Sequence, residues 1–348
     1  MKSLFRILIV LTFLGIVFYY SSTEPKPLKG PEREISEVEN VEDIEYNSEM
    51  LQRPSSGISE YIGKSVKELI SDFDEPDRID QTPYDYEWWV YNQYETYVMF
   101  AVKENVITQV YTNSTAYDIA PYNMYMSADD IYRMTIVDGE ISVEINDNVY
   151  LFSMNNEDMK YRILVQFEDL YAQLYIDSQY KKLIGIRFMD GESLVTNRAY
   201  EMQFVGENPI QMQNESTELT NKAYAEQLFE LTNVFRLKEK LPTFAMSTTL
   251  SEIASVHSME MFEGEFVSHN SPTKGSLKQR VSAYNLQFED VDENIATGYF
   301  DAIEAIHSLL NSNQHRKFIY EEKFKEMGVG VHDLYYTQIF LNPKVIEQ

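Results

Sequence analysis

Two stretches without apolar periodicity, residues 25–56 and 207–217, divide this chain of 348 residues, because a segment with little to bury cannot repay the entropy of ordering it. The first carries Pro25, Pro27, Pro31 and Pro54 among Glu32, Glu34, Glu37, Glu39, Glu42, Asp43, Glu45 and Glu49. That composition predicts an acidic disordered linker, extended by its own charge into a tether. The second, Glu207 to Thr217, is mostly polar and predicts a shorter linker. They leave an N-terminal segment, 1–24, and two folded regions, 57–206 and 218–348, each with its own apolar repeat. Length agrees, since 348 residues suit two ordinary domains and 44% hydrophobic residues suffice for two cores.

The first 24 residues read as an export signal. Lys2 and Arg6 precede an apolar run from Ile7 to Tyr20, and Ser21 to Pro25 is polar. At ~1.5 Å per helical residue the run spans about 21 Å of a ~30 Å hydrocarbon core, lengthened by Leu4, Phe5 and a snorkelling Arg6. Phe18, Tyr19 and Tyr20 stand where small residues precede a signal-peptidase cut, which predicts an uncleaved membrane anchor; a cleaved signal peptide and secretion are the alternative. Basic residues ahead of the run keep the N-terminus in the cytoplasm, so both folded regions are expected outside the cell membrane of a single-pass protein.

Charge narrows the partners. With 29 basic and 56 acidic residues the net charge is −27, which repels phosphate backbones and excludes nucleic acid as a ligand class. The chain has no cysteine, so disulfides, thiolate metal ligands and cysteine nucleophiles are excluded as well.

Residues 57–206 predict a smaller α+β domain with antiparallel meanders. Val66, Leu69, Ile70 and Phe73 have helical spacing, and Pro76 stops the helix. Tyr86–Tyr91, Tyr97–Val102 and Val106–Tyr111 read as strands, the last two joined by Lys103-Glu-Asn105. The pattern recurs at Leu170–Ile176 and Leu183–Phe188, a weak internal duplication. Trp88 and Trp89 fall on opposite strand faces, which predicts one in the core and one nearer the surface. In 218–348, Ala223, Leu228, Leu231, Val234 and Leu237 share one helix face that ends before Leu241-Pro242. A second helix near Thr249, with Glu252 at capping-box spacing, carries Leu250, Ile253, Ala254, His257 and Met261. A third covers Asp301–Leu310, and Met327–Val331 and Leu334–Phe340 are strands.

Several segments stand in one fixed order: Ala254 to Met261, Ser268-His269-Asn-Ser-Pro272, Glu293-Asn-Ile-Ala296, Gln314-His315-Arg316, Gly328-Val-Gly-Val331 and Tyr335-Tyr-Thr-Gln338. That order resembles the CAP superfamily, the cysteine-rich secretory, antigen 5 and pathogenesis-related 1 proteins, in its cysteine-free bacterial form. Asn233, Arg236 and Leu241-Pro242 match that family's first helix and its exit. Ile62-Gly-Lys-Ser65, Glu75-Pro76 and Tyr86 to Tyr91 resemble the CAP-associated N-terminal domain. The resemblance implies a three-layer α-β-α sandwich over about 125 residues.

It also implies a cleft. Secreted eukaryotic members hold two histidines and two glutamates there, in some cases with a divalent metal. His269 matches the first histidine and Glu293 the first glutamate; the second glutamate falls near Ser312, and the other histidine is replaced by Tyr335. His315 is a bacterial-branch histidine expected beside the same cleft, with Thr337 and Gln338 lining it. His269, Glu293 and His315 offer two imidazoles and a carboxylate, a set suited to weakly bound zinc or another divalent metal, or to general-base catalysis. The bland reading is a hydrogen-bonded cluster that fixes loops. The expected function is therefore a membrane-tethered binding or structural module at the cell envelope, more a binder of a wall component or protein partner than an enzyme; the alternatives are a hydrolase acting through the cleft and a carrier of small apolar ligands. His257 is expected to be a packing histidine. His307 and His332 are expected at the surface, and Arg316 is expected to pair with acids or with the end of the preceding helix.

Overall fold

The structure, a computed structural model, describes residues 26–38, 50–135, 137–206 and 216–344. The expected anchor at 1–24 lies outside them, as does most of 207–217; among the described residues no helix is long and apolar enough to cross a membrane.

The chain first appears as a strap. Leu28–Lys29 (β1) and Ile35–Glu37 (β2) are short strands, and each finds a partner far along the sequence. Val66–Phe73 (α1) follows, closed by a capping box of Ser65 and Glu68. Then come Arg78–Gln81 (β3), Glu87–Tyr91 (β4), Val98–Lys103 (β5), Val106–Thr112 (β6) and Ala128–Met134 (α2). A hairpin of Glu140–Ile145 (β7) and Asn148–Ser153 (β8) leads to Asn156–Tyr161 (α3). The second meander is Arg162–Phe167 (β9), Leu170–Ile176 (β10) and Leu183–Asp190 (β11), after which Gly191–Asn197 (α4) and Glu201–Val205 (β12) end the region. The two meanders join through antiparallel β6 and β11 into one seven-stranded sheet, ordered β3-β4-β5-β6-β11-β10-β9. A second sheet, β2-β12-β8-β7, stands beside it.

The C-terminal region holds Glu218–Lys238 (α5), Ala245–Met246 (β13), Thr248–Glu263 (α6), Leu277–Ala283 (α7), Phe288–Thr297 (β14), Ala302–Asn311 (α8), Asn313–Ile319 (α9), Glu326–His332 (β15) and Tyr335–Pro343 (β16). Its five-stranded sheet runs β1-β14-β16-β15-β13. Strand alternation gives it two apolar faces. Met327, Val329, Val331, Tyr336 and Phe340 pack with α5, α8 and α9, whereas Val291, Ile339 and Leu341 pack with Leu250, Ile253 and Val281 of α6 and α7. This is the expected three-layer sandwich. Gly328 and Gly330 alternate with Val329, so both face α6, and a Cβ there would lie 2.3 Å and 2.0 Å from its backbone. Only glycine lets that helix sit so close.

Four expectations are corrected. Residues 26–38, read as part of a disordered linker, are ordered: β1 pairs in parallel with Ala296–Thr297 and β2 with Met202–Phe204, so the strap joins the sheets of both regions. Residues 50–56 are also pinned, through a bridge of Leu51 to Phe167 and an ion pair of Arg53 with Asp169 at 3.0 Å. Composition missed this because extended strands at a sheet edge draw their stability from backbone pairing with a preformed partner, which needs little apolar content. His307, expected at the surface, is 3% exposed, because the face of α8 that looks outward within the sandwich meets the N-terminal sheet. Leu237, expected on the apolar face of α5, is 37% exposed, and the second helix starts one residue early, at Thr248, with no side-chain cap.

The two regions share part of their core, beside clusters that belong to one region alone. A single apolar cluster contains Trp88, Tyr97, Met99 and Tyr175 of the first region with Leu228, Phe235, Ile303 and Ile306 of the second. Trp88 is buried there and Trp89 half-buried on the opposite face. Buried polar contacts cross the same seam. Arg187 pairs with Asp301, both 0% exposed. Arg162 and Arg33 meet Glu304 at 3.0 and 3.4 Å, and Arg78 meets Glu230 at 2.5 Å. The His307 ring stacks on Tyr175 at 4.0 Å and bonds Tyr111 Oη through Nε2 at 2.9 Å. A Cβ on Gly185 would come within 2.7 Å of that ring.

Candidate functional site

His269 and Glu293 come from different layers. His269 follows α6 in a loop, and Glu293 sits mid-strand on β14, opposite Ile339 of β16. His269 Nδ1 lies 3.0 Å from Glu293 Oε1. A third group, unassigned in the sequence, completes the contact: Arg280 Nη2 donates to both Glu293 oxygens at 2.7 and 2.8 Å and to the His269 carbonyl at 3.1 Å. All three side chains are buried. Burial alone would push the Glu293 carboxyl up, but the bonds from His269 and Arg280 outweigh it and hold the group below its ordinary value, as a carboxylate.

The local sequence explains Arg280. Ser276 and Gln279 form a capping box that starts α7, and Leu277, Arg280 and Val281 then share its inward face. Leu277 and Val281 enter the apolar layer beneath α6 and carry Arg280 with them. The signal was an arginine at i, i+3, i+4 spacing with two apolar residues, between the two site motifs in sequence.

The loop bearing His269 is fixed on its other side. His257 on α6 is buried and its Nε2 lies 2.9 Å from the Ser268 carbonyl. It is a packing histidine, its pKa lowered by burial and by the Arg280 charge. Glu260, one turn along, accepts from Ser271 at 3.2 Å and from Thr273, and pairs with Lys274 at 3.4 Å.

His315 stands on α9, near enough to His269 for the two rings to interact electrostatically. Its Nδ1 lies 2.7 Å from Ser312 Oγ, and its backbone carbonyl accepts from Asn294, the neighbour of Glu293, at 3.2 Å. Burial, reinforced by the nearby His269, lowers its pKa to about 4. The strap backbone at Lys26 passes beside the ring, and His315 Nε2 makes no well-formed hydrogen bond. Arg316, beside it, bonds Asp177 at 2.6 Å and the Leu310 carbonyl near the end of α8 at 3.2 Å, both of the roles expected for it.

The remaining expected cleft residues lie elsewhere. Thr337 and Gln338 are buried inside the sandwich: Thr337 Oγ1 meets Ser258 Oγ at 2.9 Å, and Gln338 Nε2 donates to Thr232 Oγ1 at 2.8 Å. They tie β16 to α6 and α5. Tyr335 pairs with Thr297, four residues along β14 from Glu293, a separation of about 13 Å at ~3.3 Å per residue. It packs near Phe262. Asn233 and Arg236 on α5 are structural, bonding the Phe244 backbone and the Pro242, Ile319 and Glu321 carbonyls.

The donor set suits a divalent ion poorly. Glu293 already faces a guanidinium on both oxygens, and a dication beside Arg280 would meet a fixed like charge in a low-dielectric site. Among the described residues no three His, Asp or Glu side chains converge as metal ligands do. What the arrangement does chemically is hold a charge-balanced carboxylate, imidazole and guanidinium in place.

Residues 62–200 match the CAP-associated N-terminal domain, and residues 229–340 match the cysteine-rich secretory protein family. The uncharacterized membrane protein YlbC of Bacillus subtilis (strain 168) is 31% identical over 98% of this chain and 99% of its own length. An extracellular protein containing a SCP domain from Bacillus anthracis str. Ames, known from its crystal structure, is 32% identical with a TM-score of 0.78, covering 86% of this chain and 99% of that one. A cysteine-rich secretory protein from Staphylococcus aureus subsp. aureus Mu50 is 25% identical with a TM-score of 0.75, covering 89% and 99%.

Proposed function

Because the chain belongs to the cysteine-rich secretory protein (CAP) family, with the CAP-associated domain ahead of the CAP domain, we propose that it is a non-enzymatic binding or structural module of the cell envelope. Residues 1–24 anchor it in the membrane, and both domains stand outside the cytoplasm. Support for the location comes from Lys2 and Arg6 ahead of the apolar run, from a full-length relative whose name calls it a membrane protein, and from a structural relative described as extracellular.

One observation carries the non-enzymatic reading. Both Glu293 oxygens are engaged by Arg280 and one by His269, so the carboxylate is already occupied and serves to fix the loop that carries His269.

The test is calorimetric titration of zinc into the metal-free full-length protein, beside His269→Ala and Glu293→Gln. The reading expects no saturable binding tighter than about 100 μM and a lowered unfolding temperature in both variants. Binding tighter than about 1 μM that either substitution abolishes would overturn it and make metal-assisted hydrolysis the leading account.

A further inference from the structure

A cavity of about 190 Å³ lies on the seam between the two domains, walled by Tyr125, Tyr180 and Ile184 of the first and by Phe235, Lys238 and Tyr320 of the second. Neither domain alone forms it. Two of its aromatic walls are fixed from behind: Arg316, held by Asp177 at 2.6 Å, lies 5.5 Å from the Tyr180 ring and 5.1 Å from the Tyr320 ring. The volume is below the ~300–1,000 Å³ of drug-sized sites, so only a small molecule fits.

Lys238, the last residue of α5, brings an amine to this wall. The chain has 56 acidic residues to 29 basic ones, and Arg162, Arg187, Arg280 and Arg316 each take a buried acid as partner. Lys238 does not. Its Nζ donates to the Asn113 backbone carbonyl and lies 5.2 Å from the Phe235 ring, and among the described residues no carboxylate pairs with it. Burial against apolar rings without a counter-charge disfavours the ammonium and lowers its pKa to about 7. At pH 7 about half of the amine is then neutral, against roughly one part in 2,500 for an ordinary lysine. A neutral amine carries a lone pair, and a lysine desolvated in this way is a nucleophile toward a carbonyl carbon. The side chain is half-buried rather than enclosed, with the cavity beside it.

We propose that Lys238 is a covalent capture site for small, flat aldehydes, which the cavity holds between its aromatic walls. The Nζ lone pair bonds to the carbonyl carbon, the carbonyl oxygen leaves as water with the two amine hydrogens, and a C=N bond to the protein remains. No oxidant or reductant is consumed. The site goes beyond the reading above, because it uses none of His269, Glu293 or Arg280.

The experiment treats the full-length chain, in an amine-free detergent, with benzaldehyde and sodium cyanoborohydride, which reduces each imine to a stable amine. Peptide mass spectrometry then follows each lysine. The expected result at pH 7 is labelling of Lys238 at least about tenfold faster than the exposed Lys240, at a rate that saturates with benzaldehyde while that of Lys240 stays linear. Tyr180→Ala, at a side chain 58% exposed, should raise the half-saturating concentration at least about threefold. Thermal unfolding establishes that the variant folds; if it does not, Tyr125→Ala at the opposite exposed tyrosine decides. The proposal is overturned if Lys238 is labelled less than about tenfold faster than Lys240, if its labelling stays linear up to about 10 mM benzaldehyde, or if the folded variant shifts half-saturation less than about threefold. Zinc binding at His269 and Glu293 would leave this result untouched, so the two readings fail separately.

Discussion

Replacing Arg187 with methionine tests whether the two domains are one thermodynamic unit. Arg187 on β11 and Asp301 at the start of α8 are both 0% exposed, and the guanidinium also lies 4.9 Å from the Phe300 ring and 5.6 Å from Trp88. Methionine keeps most of the volume and removes the charge. Asp301 would keep only the Glu304 N–H it caps, at 2.9 Å, and its carboxylate would be left in a low dielectric. Breaking one partner of a buried pair costs about 3–5 kcal/mol. At ~2–4 °C per kcal/mol for a unit of this size, the midpoint should fall by about 6–20 °C. The sign of the pH dependence follows from Asp301. Burial already raises its carboxyl above the ordinary value, against the pull of Arg187, and removing Arg187 raises it further. A group with a raised folded pKa binds its proton more readily when folded, so the variant's deficit should shrink as pH falls from 7 toward 5. Urea unfolding of the full chain, followed by tryptophan fluorescence, measures both effects. Adding Asp301→Asn, which preserves the cap and removes the stranded charge, should restore roughly half of the loss. A deficit under about 1 kcal/mol, or full additivity of the two single losses in the double variant, would refute the reasoning.

Residues 218–348 expressed alone should melt well below the full chain or aggregate, because Leu228, Phe235, Ile303 and Ile306 would lose the N-terminal part of their cluster and Asp301 and Glu304 their arginines; a fragment as stable as the whole, by calorimetry, contradicts this. Gly330→Ala puts a methyl 2.0 Å from the Ser255 backbone nitrogen, which cannot yield without moving α6, and should cost about 1–3 kcal/mol or more in urea unfolding. His315 is held neutral with a pKa of about 4, so the folded chain resists a proton that the unfolded chain accepts; stability should fall by up to about 3 kcal/mol as pH drops from 6.5 toward 4, and His315→Gln should flatten that slope.

Periodicity alone determined much of this protein. The helix of Val66 to Phe73, the two meanders, the long first helix of the CAP domain and the alternation of Gly328, Val329, Gly330 and Val331 are local patterns, and local patterns survive in one dimension. The pairing of His269 with Glu293 followed from the order of motifs, and the structure brings those two together. Tertiary structure decided the rest. Arg280 joined the site because a short helix turned it inward beside two apolar neighbours, a direction that depends on what covers the helix. His307 reads as a surface residue on α8 until the N-terminal sheet is laid over that face, and then it is buried on Tyr175. The strap reads as a spacer until the edges of two sheets offer it backbone partners. In each case the free energy lies in contacts between residues more than a hundred positions apart, or in a surface supplied by another element, and neither leaves a repeat in the sequence.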